Sequence, residues 1–169
     1  VDTLIEIGTD ENTGHDFEDL HKIEKEMAFF HSFSQPHFFV SQTGSLIKEF
    51  QQIGHFHEDY IDQVKELAGQ YGLHLKEHNA DYLPASEIKK RAARIGAVNV
   101  APQFGVMQSF YTLHQACVFG LDSSKWLADA YSSQKWQKWL HKSNGQDKLR
   151  CAIVAGHYAF NQGSYRKLI

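Results

Sequence analysis

Cysteine is scarce in this chain. Cys117 and Cys151 are its only two, 34 positions apart, which makes neither a disulfide framework nor a zinc knuckle. Excess positive charge is also lacking. The 17 Lys and Arg stand against 20 Asp and Glu, a net charge of -3, which argues against a nucleic-acid partner. No apolar run approaches the roughly 20 residues that a membrane span needs, so no membrane partner is expected. Residues 1–5 read as part of a strand and show neither the charged nor the apolar region of a secretory leader. A reducing cytoplasm is the expected location. No Gly-x-Gly-x-x-Gly follows the first strand-like run and no Walker loop occurs, which argues against a nucleotide-binding fold.

What is present is a globular composition: 169 residues, 42% hydrophobic and 22% charged, enough to bury a core. Histidine is over-used, at 11 residues. Four short apolar runs are bounded by Gly, Pro or polar residues: Leu4-Ile5-Glu6-Ile7, Phe38-Phe39-Val40, Leu73-His74-Leu75-Lys76 and Ala97-Val98-Asn99-Val100. Their starts lie roughly 25 to 35 residues apart, the spacing of βα units. Apolar residues at helical spacing fill the gaps. Phe17, Leu20, Ile23, Met27 and Phe30 follow a candidate cap at Asp16; Tyr60, Ile61, Val64, Leu67 and Ala68 end at Gly72. Ser86 is placed to cap a helix carrying Ile88, Ala92 and Ile95, and Phe110, Leu113, Ala116 and Cys117 mark a fourth that stops near Gly120. The tail reads as further helix.

The expected fold class is therefore α/β: four consecutive βα units with parallel strands, plus C-terminal helices. Four units are half of a (β/α)8 TIM barrel, which usually needs about 250 residues. Residues 1–169 are expected to be one partial barrel domain, the C-terminal half, with the N-terminal half lying outside this sequence. The alternative is a small open α/β sheet.

Barrel chemistry sits at the C-terminal ends of the strands. The first strand delivers Glu6 and then Asp10. A carboxylate inside a barrel has to be paired, metal-bound or protonated, whereas an outward Glu6 would form a salt bridge with a helix. The second delivers Gln42, Thr43 and Ser45. Gln42 suits a ligand contact, while Thr43 or Ser45 could equally cap the next helix. The third delivers Glu77-His78-Asn79-Ala80-Asp81-Tyr82, the densest polar cluster. His78 could ligate a divalent metal or move protons, and Asp81 could orient a histidine or bind a hydroxyl. Glu77 and His78 must face opposite ways on a strand. Turning Leu73 and Leu75 into the barrel would carry Glu77 with them, and a bend after Lys76 would re-aim His78. The fourth delivers Gln103, a neutral group suited to a polyol, and Gly105. His55 and His57 read as surface residues, and His157, in Gly156-His157-Tyr158, as a candidate ligand loop.

Three segments together resemble a known family. Ile7-Gly8-Thr9-Asp10 is similar to an Ile-Gly-Thr-Glu strand end. Glu77-His78-Asn79-Ala80-Asp81-Tyr82 shares the His-x-x-Asp-Tyr core of a Glu-Ala-His-Ser-Thr-Asp-Tyr segment. Asn99-Val100-Ala101-Pro102 falls where that family has Lys-Val-Gly-Pro. The chain resembles the C-terminal half of the non-catalytic subunits of class II D-tagatose-1,6-bisphosphate aldolase, over nearly its whole length. It departs from them at Asp10, Asn99 and Gln103. The resemblance implies a TIM-barrel protein of carbohydrate metabolism with a sugar-phosphate ligand and a separate, zinc-dependent aldolase subunit as partner. A rival expectation is a metal-dependent ketose or sugar-phosphate epimerase or aldolase in its own right. In the first reading Gln42, His78, Asp81 and Gln103 would line the pocket, with Asp10 and Glu6 beneath, and Gln42, Thr43, Gln103 and Asp10 are the candidate substrate contacts. In the rival, His78 and Asp81 would be catalytic, and His78 with Glu6 or Asp10 would hold a divalent metal, zinc or similar.

Overall fold

The computed structural model describes residues 3–8, 19–41, 43–141 and 144–169. In chain order the elements are β1 (Glu6–Gly8), α1 (Leu20–His31), β2 (Phe38–Ser41), β3 (Ile47–Lys48), β4 (Gln51–Gln52), α2 (Glu58–Gln70), β5 (His74–Glu77), α3 (Ala85–Ala92), β6 (Ala97–Val98), α4 (Pro102–Val118), α5 (Ser124–Ser132), α6 (Lys148–Ala155) and α7 (Gly163–Arg166). Short 3-10 helices cover Lys135–Lys138 and Gly156–Ala159. The chain divides into two compact units, Val1–Ile47 with Gln52–Val100, and Lys48–Gln51 with Ala101–Ile169.

The first unit holds a four-stranded parallel sheet in the order β1-β2-β5-β6. Glu6 is registered with Phe38, Val40 with Lys76, and Glu77 with Val98. The order never reverses, so successive strands are added on the same side, and each parallel step is bridged by helix, as parallel pairing requires. Side chains alternate between the two faces. Phe39 and Leu75 point to the face where Ile23 and Met27 of α1 and Ile61, Val64 and Ala68 of α2 pack with Leu73. Each of the larger side chains contributes about 1.5–3 kcal/mol by leaving water. Glu6, Phe38, Val40, His74 and Lys76 lie on the opposite face.

That division decides the parity that the sequence leaves open: Leu73 and Leu75 face the helices and carry Glu77 with them, and His78 goes to the other face. The reason is that α1 and α2 present an unbroken apolar surface, so the apolar parity of β5 is drawn there.

Helix boundaries follow local chemistry. Asp19 caps α1, accepting from the backbone N–H of His21 at 3.0 Å; Asp16 lies outside the described residues. Glu58 and Asp59 occupy the first turn of α2, and Lys89, Lys90 and Arg91 the last turn of α3, both favourable to the helix dipole. Pro84, not Ser86, precedes α3. Pro102 sits in the first turn of α4, so the helix begins at once and Gln103 and Gly105 are helical rather than parts of a strand-end loop.

Between β2 and α2 the expected direct helix start is replaced by the β3–β4 hairpin. Thr43 and Ser45 therefore cap no helix. Gly44 and Gly54 let the two stems touch: a Cβ on Gly44 would lie 1.9 Å from the His55 carbonyl oxygen, and one on Gly54 1.9 Å from that of Gly44.

The second unit packs Ala116, Trp126, Ala130, Ala152, Ala159, Tyr165 and Leu168 into its own core. The apolar run from Leu149 to Ala155, ambiguous by period, belongs to helix α6.

Candidate functional site

The strand ends deliver two different polar groups, one to each face of the sheet. On the open face, a cavity of ≈ 320 Å³ is lined by Glu6, Ile7 and Gly8 of β1, Val40 of β2, His78 just after β5, Asn99 just after β6, and Phe30 of α1. Gly8 permits this floor, because a Cβ there would fall 2.4 Å from the Val40 carbonyl oxygen. Lys76 points to the same face and donates from Nζ to Glu6 Oε2. The Lys76 side chain is 14% exposed and that of Glu6 49%. Beside them, Asn99 Nδ2 lies 3.3 Å from His78 Nδ1. An amide nitrogen is a donor only, so Nδ1 accepts and the proton of the neutral imidazole sits on Nε2.

On the helix-covered face, Glu77 is fully buried. Its Oε1 accepts from Thr43 Oγ1 at 2.5 Å and from Ser45 Oγ, and its Oε2 accepts from Arg91 Nε at 2.6 Å. Arg91 also donates to Glu87 Oε2 at 3.0 Å, and its guanidinium lies 4.1 Å from the Phe56 ring centroid. Hydrogen bonds from Lys90 and then Arg91 hold the Glu87 carboxyl below its ordinary value.

The segment joining β5 to α3 is held in an unusual shape. Asn79 and Tyr82 both have left-handed backbone, at φ 66 and φ 58. Ala80 N–H donates to the Asn99 carbonyl at 2.8 Å. Gln52 Nε2 donates to the carbonyls of Asn79 at 3.1 Å and Asp81 at 3.4 Å, while its Oε1 accepts from the N–H groups of Leu46 and Gly54. Gln52 thus ties the hairpin to the loop bearing His78. Only the glycine pair flanking the hairpin stems hints at this role in sequence. Asp81 is fully buried. Burial, and then the charge of Asp81, push the Tyr82 hydroxyl up to about 12.

Of the sequence-predicted residues, the structure brings Glu6 and His78 to one cavity and adds Asn99, with Lys76 bonded to Glu6 behind it. Thr43 is in the Glu77 cluster and Asp81 in the buried loop. Gln103 is in the first turn of α4, in the second unit. Asp10 and Gln42 lie outside the described residues. His157 belongs to the second unit, where it packs on α4 so closely that a Cβ at Gly105 would lie 2.6 Å from its Cβ; burial pushes its imidazole below the ordinary value. His57 precedes α2, and His55 lies in the irregular segment between β4 and α2.

A divalent metal fits the described residues poorly. Glu6 and His78 are the two ligand-type side chains of the cavity, but Lys76 occupies a Glu6 oxygen and Asn99 the His78 Nδ1. Among the described residues, no three His, Cys, Asp or Glu side chains converge as a metal site.

A parallel sheet wound in one sense, with its helices on one face and polar strand ends over a cavity on the other, is part of a barrel-like α/β fold. Among solved structures, a probable tagatose 6 phosphate kinase from Sinorhizobium meliloti 1021 shares this fold, with a TM-score of 0.66 and 16% sequence identity. The match covers 98% of this chain and 48% of that one, so the chain spans about half the length of its structural neighbour. No family model matches the chain, and no curated protein matches it significantly in sequence. Among the described residues, no helix is long and apolar enough to cross a membrane.

Proposed function

We propose that this chain is the C-terminal half of a (β/α)8 barrel that binds a sugar phosphate, in cytoplasmic carbohydrate metabolism. In this reading it is a subunit supporting the activity and stability of a class II aldolase partner. The observation that carries it is the meeting of Gly8, His78 and Asn99, at the C-terminal ends of β1, β5 and β6, with Glu6 from the start of β1, around one cavity. Strand C-termini are where barrels of this kind place their ligands. A mixed lining of carboxylate, imidazole, amide and aromatic ring suits a polyol, which needs both hydrogen-bond acceptors and donors and an apolar wall. Support also comes from the resemblance of the segment around His78 to the aldolase subunits, and from a fold neighbour whose name concerns a tagatose phosphate. Asp10 and Gln42, which follow β1 and β2 in sequence, are assigned the further substrate contacts.

Calorimetric titration with tagatose 1,6-bisphosphate tests the binding. Saturable heat that disappears in His78→Ala is expected, and an inert wild-type protein would sink the reading. The partnership predicts a longer half-life for a zinc-dependent tagatose-bisphosphate aldolase mixed with this chain.

A further inference from the structure

The open-face cavity holds two prearranged proton-handling pairs, and we propose that they catalyse metal-free proton transfer next to the carbonyl of a phosphorylated α-hydroxy ketone or aldehyde. The inference rests on the sugar-phosphate reading of this cavity and adds an activity to it.

The chemistry needs a base near the carbon and a donor at the carbonyl oxygen. Glu6 is the base. Its Oε2 is held by the Lys76 ammonium, and its side chain is open enough to meet a ligand. His78 is the donor. With Nδ1 accepting from Asn99 Nδ2 at 3.3 Å, the remaining ring proton is on Nε2. A neutral imidazole can polarise a carbonyl in this way, a role the ring shares with other enediol-forming sites. Lys76 supplies a fixed positive charge on the same face of the sheet, favouring the oxyanion that builds up. Lys76 and Asn99 are positioning residues. Glu6 and His78 are the catalytic pair.

The step balances without a co-reactant. The C–H bond beside the carbonyl breaks and its proton passes to the Glu6 carboxylate. The electron pair forms the carbon–carbon double bond as the carbonyl π pair moves onto oxygen, which takes the proton of His78 Nε2 to give an enediol. Return of the Glu6 proton to the first carbon, with the oxygen's proton going back to His78, regenerates the ketone; its delivery to the neighbouring carbon, with His78 taking the proton of the other hydroxyl, gives the aldehyde isomer.

The test is proton exchange, read by NMR with dihydroxyacetone phosphate in deuterated water, with chelator present throughout and binding followed on the same samples. The expected result is deuterium at the carbon beside the carbonyl, faster than for identically prepared, folded Glu6→Gln and His78→Gln proteins by at least tenfold. Asn99→Ala should shift the ring-nitrogen resonances of His78, since the tautomer is no longer fixed. Binding without exchange overturns the inference and leaves the sugar-phosphate reading standing, whereas absence of binding removes both. Exchange that appears only in a parallel sample without chelator, or that persists unchanged in Glu6→Gln, also overturns it.

Discussion

Two glutamates in one sheet have opposite fates. Glu77 ends β5 on the helix-covered face, with no exposure and with Thr43, Ser45 and Arg91 bonded to its carboxylate. Glu6 opens β1 on the other face, half exposed, with Lys76 on one oxygen. A buried charge must have its hydrogen-bonding capacity filled, so Glu77 has no room to serve a ligand. A carboxylate left half open retains acceptor sites for one. The contrast separates a structural tie from a reactive group by exposure and saturation, although the residue type is the same.

The comparison can be broken most directly at Arg91. Arg91→Met leaves a carboxylate buried without its cation and should cost about 3–5 kcal/mol in urea denaturation. A cost below about 1 kcal/mol would mean that the helix side is as loosely tied as the open side. Thr43→Val removes one donor from the same carboxylate and should cost about 1–3 kcal/mol by the same measurement. The acid limb of the stability curve sharpens the picture further. Because Glu87 is held below its ordinary value of 4.5, the folded protein binds fewer protons there than the unfolded chain. Its contribution is fully present above that pH and is lost as pH falls through the depressed value. Glu87→Gln should therefore flatten melting temperature against pH in the acid range while changing little near neutrality. The smallest stability effect is expected at Lys76→Met, below about 1 kcal/mol, because the partner carboxylate can turn to water. Affinity for dihydroxyacetone phosphate should carry the change there instead.

Much of the fold was legible in the sequence. All four expected parallel strands are present, because short β-branched and aromatic runs bounded by Gly and Pro have few other uses. The helices around Ile23, Ile61 and Ala116 were legible through their period. The hairpin was not, since Ile47-Lys48 and Gln51-Gln52 are too short to show a period. The start of α4 was missed because Gly105 reads as a loop residue, whereas here it makes room for His157.

In the site, His78 and Glu6 stood out as polar groups at apolar strand ends. Lys76 and Asn99 did not. Their importance comes from register across neighbouring strands, which a single strand's sequence does not reveal. The facing of Glu77 was not legible because an apolar parity can belong to either side of a sheet. Which side becomes clear only when the helices that cover it are placed.

Glu77 and His78 are consecutive, so one pleat hands a residue to the framework and the next to the cavity. Loss or gain of a single amino acid within β5 would exchange their directions, pushing an imidazole against Arg91 and swinging the carboxylate into solvent. Such an indel would turn the strand inside out, so lineages of this protein should drift by substitution along β5 while keeping its length constant.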